Sequence, residues 1–345
     1  MKKELLYNKK SRELLIKELE EEPFQRLTTS FYRYVKIKNP VELRDTLYEE
    51  WSKLKIFGRI YIANEGINAQ LSCPEQNWRL FNKKLNHRLF LKDIPKKLAI
   101  VDGRSFFKLI IKVKDEIVTY GISESEFDMN NVGKHLSPEE FNSALNRPKS
   151  VVVDMRNYYE SEVGRFDGAI IPDVETSREL LPEMKRLLIG KENDEILMYC
   201  TGGIRCEKAS AYLIHHGFKN VNQLNGGIIN YAHNVKEKNL ESKFLGKNFV
   251  FDARIGERIT NDVISKCHQC GEPADNHIDC CNDACHILFI QCDACKKKYE
   301  GCCSKDCREF ARLPKEEQRV LRKDPKRVVS TARKSDRVKP RLGEI

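Results

Sequence analysis

Residues 195–210 read EILMYCTGGIRCEKAS and join an apolar strand, Glu195–Tyr199, to a helical pattern, Glu207–His216, through a loop with two adjacent glycines. The chain around this stretch repeats the alternation, with a strand, a helix and a strand at Val151–Asp154, Arg178–Leu188 and Asn220–Leu224. Strands that alternate with helices indicate an α/β unit built on a parallel sheet.

Cys200 is the residue of this loop to which we assign chemistry, because it ends a strand and ligands of parallel sheets bind at the carboxyl ends of the strands. The glycines let successive backbone N–H groups turn inward, and a helix N-terminus lowers the pKa of a nearby thiol. Arg205 adds a positive charge, so we predict that the loop stabilises a thiolate or a persulfide. The other loop residues are Thr201, Gly202, Gly203 and Ile204.

The spacing within the loop bears on the kind of chemistry. Four residues separate Cys200 from Arg205. Tyrosine phosphatases have one residue more, because their loop encircles a phosphate, and the shorter ring suits a sulfur atom. The spacing therefore favours sulfur chemistry over phosphoryl chemistry. The alternative is a buried cysteine at the end of a strand, followed by an ordinary glycine turn.

A second unit precedes this one, and its apolar pattern predicts the order β-α-β-β-α-β of a ferredoxin-like fold, with α+β architecture. The predicted elements are strand Phe31–Ile37, helix Leu43–Leu54, strands Arg59–Ala63 and Asn68–Ser72, a helix from Pro74 and strand Phe106–Val113. The turn Asn64–Ile67 between the middle strands is typical of a hairpin. A charged helix at Ser11–Glu22 comes before the unit.

Ten of the thirteen cysteines lie between Cys267 and Cys307. Two pairs have the two-residue spacing of zinc ligands and two pairs are looser, so that alternating pairs would form two sites of four thiolates. The candidate ligands are Cys267, Cys270, Cys280, Cys285, Cys292, Cys295, Cys303 and Cys307. Cys281 and Cys302 are alternatives to their neighbours, and the spare candidates are His268, His277 and His286. We predict closed, structural zinc sites, although iron on the same thiolates stays open.

The charge and hydropathy of the chain indicate where the protein is located in the cell and which kinds of partner it could bind. The net charge is +10, and residues 311–345 carry 12 Lys and Arg against 5 Asp and Glu. Such a segment attracts nucleic-acid phosphates, or it is a solvated terminus. No apolar run is long enough to cross a bilayer, and the basic start is not followed by the apolar region of a secretory signal. We therefore expect a cytoplasmic protein without membrane contact.

The succession of motifs resembles rhodanese-homology domains. The motifs are Asp154-x-Arg156, Gly168–Pro172, the loop Cys200–Arg205 and Gly226-Gly227-Ile228. The whole chain is similar to the bacterial tRNA uridine-34 hydroxylase family from about residue 28 to 310, on account of Ala63–Asn68, the loop CTGGIRCEKAS and the cysteine block. This resemblance implies a rhodanese-like domain, tRNA as partner through its anticodon loop, and formation of 5-hydroxyuridine with molecular oxygen as co-substrate.

The resemblance also assigns roles and a domain organisation. Cys200 matches the catalytic cysteine, while Cys206 is either a resolving thiol or a core residue. Asp154 and Arg156 could support the loop or form a structural pair, and Lys208 could join a basic wall or be solvated. The predicted parts are an N-terminal helical extension (1–27), a ferredoxin-like, acylphosphatase-like domain (28–125), a rhodanese-like catalytic domain (126–246), a cysteine-rich zinc module (247–310) and a basic tail (311–345).

Three functions remain open from the sequence. The first is a tRNA-modifying oxidoreductase, the second a generic sulfurtransferase that passes a persulfide sulfur to a thiol or protein acceptor, and the third a non-catalytic scaffold. The retained Cys200 and Arg205 argue against the scaffold, and the basic tail favours RNA. No NAD, flavin or haem motif is present, and no His-carboxylate triad for iron is visible. The sequence does not indicate an oligomeric state.

Overall fold

The computed structural model describes residues 10–122, 127–174 and 176–323, so most of the predicted basic tail lies outside the described residues. The helices are α1 (Arg12–Glu20), α2 (Pro40–Lys53), α3 (Trp78–Asn86), α4 (Pro138–Leu145), α5 (Tyr158–Glu162), α6 (Ser177–Leu187), α7 (Ile204–His215), α8 (Gly227–Lys238), α9 (Asp293–Tyr299), α10 (Lys305–Arg312) and α11 (Lys315–Leu321). The strands are β1 (Arg26–Tyr34), β2 (Phe57–Ala63), β3 (Gly66–Pro74), β4 (Lys97–Leu98), β5 (Leu109–Val113), β6 (Lys134–Leu136), β7 (Ser150–Asp154), β8 (Gly164–Phe166), β9 (Glu195–Tyr199), β10 (Asn220–Leu224), β11 (Phe244–Phe249), β12 (Gly256–Arg258), β13 (His277–Asp279) and β14 (Leu288–Ile290).

The first unit is a five-stranded sheet in the order β4-β1-β3-β2-β5, which confirms the predicted α+β start of the chain. One expectation was wrong in detail. The strand at the end of the ferredoxin-like order is the two-residue β4, which pairs antiparallel with β1, whereas the predicted last strand appears as β5 and pairs parallel with β2 at the opposite edge. A strand as short as Lys97–Leu98 leaves no run of β-branched or aromatic residues from which to predict it.

The two faces of this sheet have different partners because side chains alternate along each strand. One face is apolar, and its residues Phe31, Ile60 and Ala69 are buried in a core with residues of α2 and α3. The other face carries polar and aromatic side chains that are partly exposed, among them Tyr32 and Tyr61. This second face is turned toward the rest of the molecule and lines a cavity described below.

The second unit is a four-stranded parallel sheet in the order β6-β10-β9-β7, as the alternation of strands and helices predicts. Its strands β9 and β10 coincide with the predicted ones, and β7 begins one residue earlier than expected. The central strand β9 is buried from Ile196 onward, since helices cover both faces of such a sheet. Its carboxyl end delivers the Cys200 loop.

Two small sheets follow. The three-stranded sheet β12-β11-β8 is antiparallel and joins residues on both sides of the boundary predicted at 246, and the hairpin β13–β14 lies inside the cysteine-rich segment. Among the described residues, no helix combines the length and the apolar character needed to span a membrane.

Candidate active site and metal sites

The Cys200 loop turns sharply between β9 and α7. Gly203 stands at the helix start with φ of +95°, a left-handed conformation that favours glycine. In this conformation the N–H of Gly203 donates a hydrogen bond to Cys200 Sγ at 3.1 Å. The helix begins at Ile204, three residues before the predicted start, so Arg205 and Cys206 belong to its first turn. The thiol therefore lies at the N-terminus of α7, where the helix dipole favours a negative charge.

Helix α8 supports the loop from its other side. The N–H groups of Ile228 and Ile229 donate to the carbonyl oxygens of Cys200 and Thr201 at 3.0 and 3.1 Å. Gly227 makes this close approach possible, because a Cβ atom there would lie 2.5 Å from the Cys200 carbonyl oxygen. The Gly226-Gly227-Ile228 motif of the sequence thus fixes the peptide planes of the loop.

The surroundings of Cys200 favour its thiolate. Burial by itself raises the pKa of the thiol, but a hydrogen bond from Cys206, the charge of Arg205 and the N–H groups of Arg205 and Gly203 outweigh it and lower the pKa from 9.0 to about 5. Burial and the neighbouring Cys200 raise the pKa of Cys206 well above its usual value. The two sulfurs therefore form a pair in which Cys206 keeps its proton and Cys200 loses it.

Arg205 is held by a residue that the sequence reasoning missed. Its guanidinium forms two hydrogen bonds to the Glu160 carboxylate, at 2.6 and 2.9 Å, and a third to Thr201 Oγ1 at 3.3 Å. Glu160 is completely buried and lies in the first turn of α5, where it forms a capping box with Asn157. The Asn-x-x-Glu spacing could have predicted that helix start, but nothing in it indicates Arg205 as the partner.

Asp154 and Arg156 form the structural pair that was one of the two expectations for them. Both are fully buried, and Arg156 donates to Asp154 at 2.8 and 2.6 Å and to the Gly164 carbonyl oxygen at 2.6 Å. The Tyr199 hydroxyl donates to the same Asp154 carboxylate at 2.7 Å. The pair therefore fixes the residue that precedes Cys200 and lies away from the cavity that Cys200 lines.

A cavity of about 400 Å³ separates the loop from the polar face of the first sheet. On the loop side it is lined by Cys200, Thr201 and Gly202. On the sheet side the lining residues are Tyr32, Arg59, Tyr61, Asn68, Gln70, Lys97 and Lys114. The wall thus combines aromatic rings, amides and cations opposite an acidic thiol, a combination that can hold a planar polar ring attached to an anionic backbone.

Lys208 has a role that neither sequence expectation foresaw. It is completely buried, and its ammonium contacts the carboxylates of Glu65 at 2.9 Å and Glu116 at 2.7 Å, both supplied by the first unit. Tyrosine hydroxyls add two contacts across the same boundary, from Tyr34 to the Ile204 carbonyl oxygen and from Tyr120 to that of Arg205. These contacts dock the first unit against the beginning of α7.

The eight predicted metal ligands lie in two groups of four. Cys267, Cys270, Cys292 and Cys295 form one group, and Cys280, Cys285, Cys303 and Cys307 form the other, with all sulfurs of a group within 4.8 Å of one another. The distances include 3.6 Å for Cys270–Cys292 and 3.7 Å for Cys285–Cys303. Four thiolates about 2.3 Å from a tetrahedral zinc ion lie about 3.8 Å apart, so both groups could hold zinc.

The spare candidates lie outside these groups. Cys281 is exposed and Cys302 is buried, and neither belongs to a group of four. His268 bonds Glu162 through Nε2 at 2.7 Å and accepts the Ile290 N–H through Nδ1 at 3.1 Å, so both of its ring nitrogens are engaged. Neither His277 nor His286 belongs to a group of potential ligands in the described part of the chain.

A parallel sheet that presents a Cys-x4-Arg loop at its carboxyl edge defines a rhodanese-like domain, and the family model of that description matches residues 137–234. The flanking parts match the models described as UPF0176 acylphosphatase like domain, at residues 21–117, and Rhodanase C-terminal, at residues 245–308. Three curated relatives are similar to this chain over nearly its full length.

A protein named tRNA uridine(34) hydroxylase from Leptospira interrogans is 55% identical over 345 residues, which cover 100% of this chain and 94% of that protein. Proteins of the same name from Photorhabdus laumondii and Yersinia enterocolitica are 48% and 49% identical, with coverage of 92% of this chain and 91% of each relative. The chain belongs to the tRNA uridine(34) hydroxylase family.

Proposed function

We propose that the protein hydroxylates the wobble uridine, position 34, of tRNA to 5-hydroxyuridine, with Cys200 as the reactive sulfur. The observation that carries this proposal is the 55% identity over the full chain to a protein named for that activity. The acidic thiol beside a cavity of about 400 Å³ supports it with a site for the reaction.

The anticodon loop is a suitable partner for this site. Proteins recognise RNA sequence mainly in single-stranded loops, whose bases can be splayed out and stacked on aromatic side chains. Tyr32 and Tyr61 line the cavity opposite Cys200, and Arg59 and Lys114 offer cations beside them for phosphates. The uracil ring would enter between the sheet and the thiol, with the RNA backbone along the cavity rim. A protein that acts on tRNA is expected to work in the cytoplasm.

Molecular oxygen is the proposed co-substrate, and Cys200, as thiolate or persulfide, is the proposed group that faces the base. Arg205 would stabilise the negative sulfur with its charge and its backbone N–H group, and Gly203 of the loop Thr201–Ile204 would supply a second N–H group. Structural zinc in the two cysteine groups would stabilise the carboxyl-terminal part of the protein, which has few apolar residues to do so.

Nucleoside mass spectrometry of tRNA tests the function. Cells that lack the protein should lose 5-hydroxyuridine and its derivatives at the wobble position, and the wild-type gene should restore them. Cys200→Ala should not restore them, while Cys281→Ser, which changes an exposed cysteine outside both metal groups, should. Heavy-oxygen gas should label the new hydroxyl. An unchanged nucleoside profile in the deletion strain would contradict the proposal.

A sulfurtransferase is the second candidate, because the N–H groups of Gly203 and Arg205, which stabilise a thiolate, can equally stabilise a persulfide. This candidate predicts transfer of sulfur from thiosulfate to cyanide at a rate that Cys200→Ala abolishes. Turnover in that assay together with an unchanged tRNA profile would favour it over hydroxylation.

A further inference from the structure

Arg205 alone does not supply enough positive charge to attract an anion in the cavity. The Glu160 carboxylate binds the Arg205 guanidinium through two hydrogen bonds, and both side chains are buried. The pair carries no net charge, so its attraction for an anion falls off quickly with distance. A second cation beside the loop would therefore matter more than the Cys-x4-Arg motif suggests.

Lys97 is such a cation, and it comes from the first unit. Its side chain reaches the loop, since a Cβ atom on Gly202 would lie 3.9 Å from Lys97 Cδ, and both residues line the cavity with Cys200. The ammonium lies over the Tyr32 ring, 4.4 Å from its centroid. Within residues 10–122, 127–174 and 176–323, no carboxylate forms an ion pair with it.

The backbone around Lys97, residues 97–100, is held from three directions. Strand β4 pairs with β1 at Ser30 and Thr29. His233 of α8 bonds the Leu98 carbonyl oxygen at 3.0 Å, and the Glu257 carboxylate accepts the N–H of Ile100 at 2.9 Å. Residues 97–100 are therefore joined to three other parts of the fold, and these contacts fix the position of the Lys97 side chain beside the loop.

We propose that Lys97 is a positioning residue that holds the anionic Cys200 sulfur, so that the reactive site is a composite of the first unit and the rhodanese-like domain. The charges of its surroundings agree with this arrangement. Burial lowers the pKa of Lys97 to about 8, while the negative Cys200 and Glu207 act in the opposite direction. With a pKa of about 8, Lys97 stays mostly protonated at neutral pH and keeps its positive charge beside the loop.

Thiol alkylation tests the inference on the full-length protein, with rates followed by mass spectrometry of the Cys200 peptide. Iodoacetate is anionic and iodoacetamide is neutral, so the ratio of their rates reports the local positive charge. Lys97→Met should lower this ratio by about ten-fold and move the pH dependence of the reaction upward by about one unit. Lys97→Arg should restore both values. Lys112→Met, which removes an exposed lysine of the same sheet, should leave them unchanged.

The groups that also titrate near Cys200 are Cys206, Glu207, Tyr32 and Tyr120, and none of them is altered in these variants. If Lys97→Met lowers the melting temperature strongly, Lys97→Gln is used instead, and the ratio of the two alkylation rates is measured at low temperature. A wild-type ratio and pH profile in the folded neutral variants would overturn the inference. The inference rests on the proposed role of Cys200, but the two can fail separately. An unreactive Cys200 in the wild-type protein would contradict the proposed function, whereas a reactive Cys200 that does not respond to Lys97 variants would contradict only the inference.

Discussion

Three neighbouring charged side chains on the first turns of α7, Arg205, Glu207 and Lys208, contact different parts of the molecule. Arg205 binds Glu160 of the same unit, and Lys208 binds Glu65 and Glu116 of the first unit. Glu207 accepts hydrogen bonds from Tyr32 at 3.0 Å and Gln223 at 3.1 Å, and its carboxylate also lies 2.9 Å from His135 Nε2. One helix start thus fixes the loop arginine, the docking of the first unit and the position of a cavity tyrosine.

The acidity of Cys200 gives a direct pH prediction. The alkylation rate of Cys200 should rise through pH 5 and be nearly constant around neutrality, because its pKa is lowered to about 5 and the thiolate is the nucleophile. Buried Cys73, whose pKa burial raises to about 12, should stay unmodified in the same digest and serves as the internal control. A midpoint near the ordinary value of about 8.5 would contradict the described loop.

The same lowered pKa affects stability. Ionised Cys200 stabilises the folded state most above the pKa of an unfolded cysteine, and this contribution decreases as the pH falls toward the folded value of about 5. Cys200→Ala should therefore weaken the dependence of unfolding free energy on pH between those limits. Chemical denaturation at several pH values measures this difference.

The turns around the loop depend on glycine to different degrees. Gly227 and Gly168 both have positive φ, +68° and +69°, but a Cβ atom at Gly227 would meet the Cys200 carbonyl oxygen at 2.5 Å, whereas at Gly168 it would meet nothing within 4 Å. Gly168→Ala should cost about 1 kcal/mol of unfolding free energy, from backbone strain alone. Gly227→Ala should cost roughly 3 kcal/mol or more and slow Cys200 alkylation. Equal costs for both variants would show that α8 does not constrain the loop.

The two groups of four cysteines, formed by alternating pairs along the chain, predict the metal content of the protein. Metal analysis should find two zinc ions per chain, one for each group of four cysteines. Cys303→Ser should reduce the count to one, while Cys281→Ser, outside both groups, should leave it at two. Chelation should unfold the segment, because thiolate binding and folding form one equilibrium there. A metal-free protein with the same melting curve would exclude a structural metal.

The strands of the parallel sheet and the spacing of the cysteine pairs could be predicted from the sequence. The runs Glu195–Tyr199 and Asn220–Leu224 have a continuous apolar or β-forming pattern, and the cysteine pairs have fixed spacing, so both are local properties. Strand β4 and the partner of Arg205 are set by contacts between distant segments, which leave no local pattern. The long-range contacts that a sequence does not display are therefore those that complete the site.

For the molecule as a whole, the docking of the first unit depends on one buried ammonium between two carboxylates. Lys208→Met should destabilise the protein by about 3–5 kcal/mol, since it leaves the buried Glu65 and the partly buried Glu116 without a cation. The same variant should have only a small effect on the alkylation rate of Cys200 in the folded protein, because Lys208 does not line the cavity. Lys238→Met, which breaks an exposed pair with Glu139, is the matched control and should change stability little.

The basic tail gives the last prediction, which concerns tRNA affinity. Deletion of residues 323–345 removes eight cationic residues, and if about a third of them contact phosphates, the salt slope of binding should flatten by roughly two units. Turnover of bound tRNA should change little. The same affinity and slope in the truncated protein would mean that the first sheet and the cysteine block carry the contacts.

The bonds from α8 to the loop have one more consequence. Ile228 and Ile229 already hold the carbonyl oxygens of Cys200 and Thr201, so the attached peptide groups cannot rotate when charge appears on the sulfur. A solvent shell would have to reorient around each new anion, whereas these dipoles are oriented before the anion forms. The dipoles are therefore oriented once, during folding, and need not reorient in each turnover. The rigid turns at Gly203 and Gly226-Gly227 thus lower the barrier to forming the anion and affect the rate of the reaction.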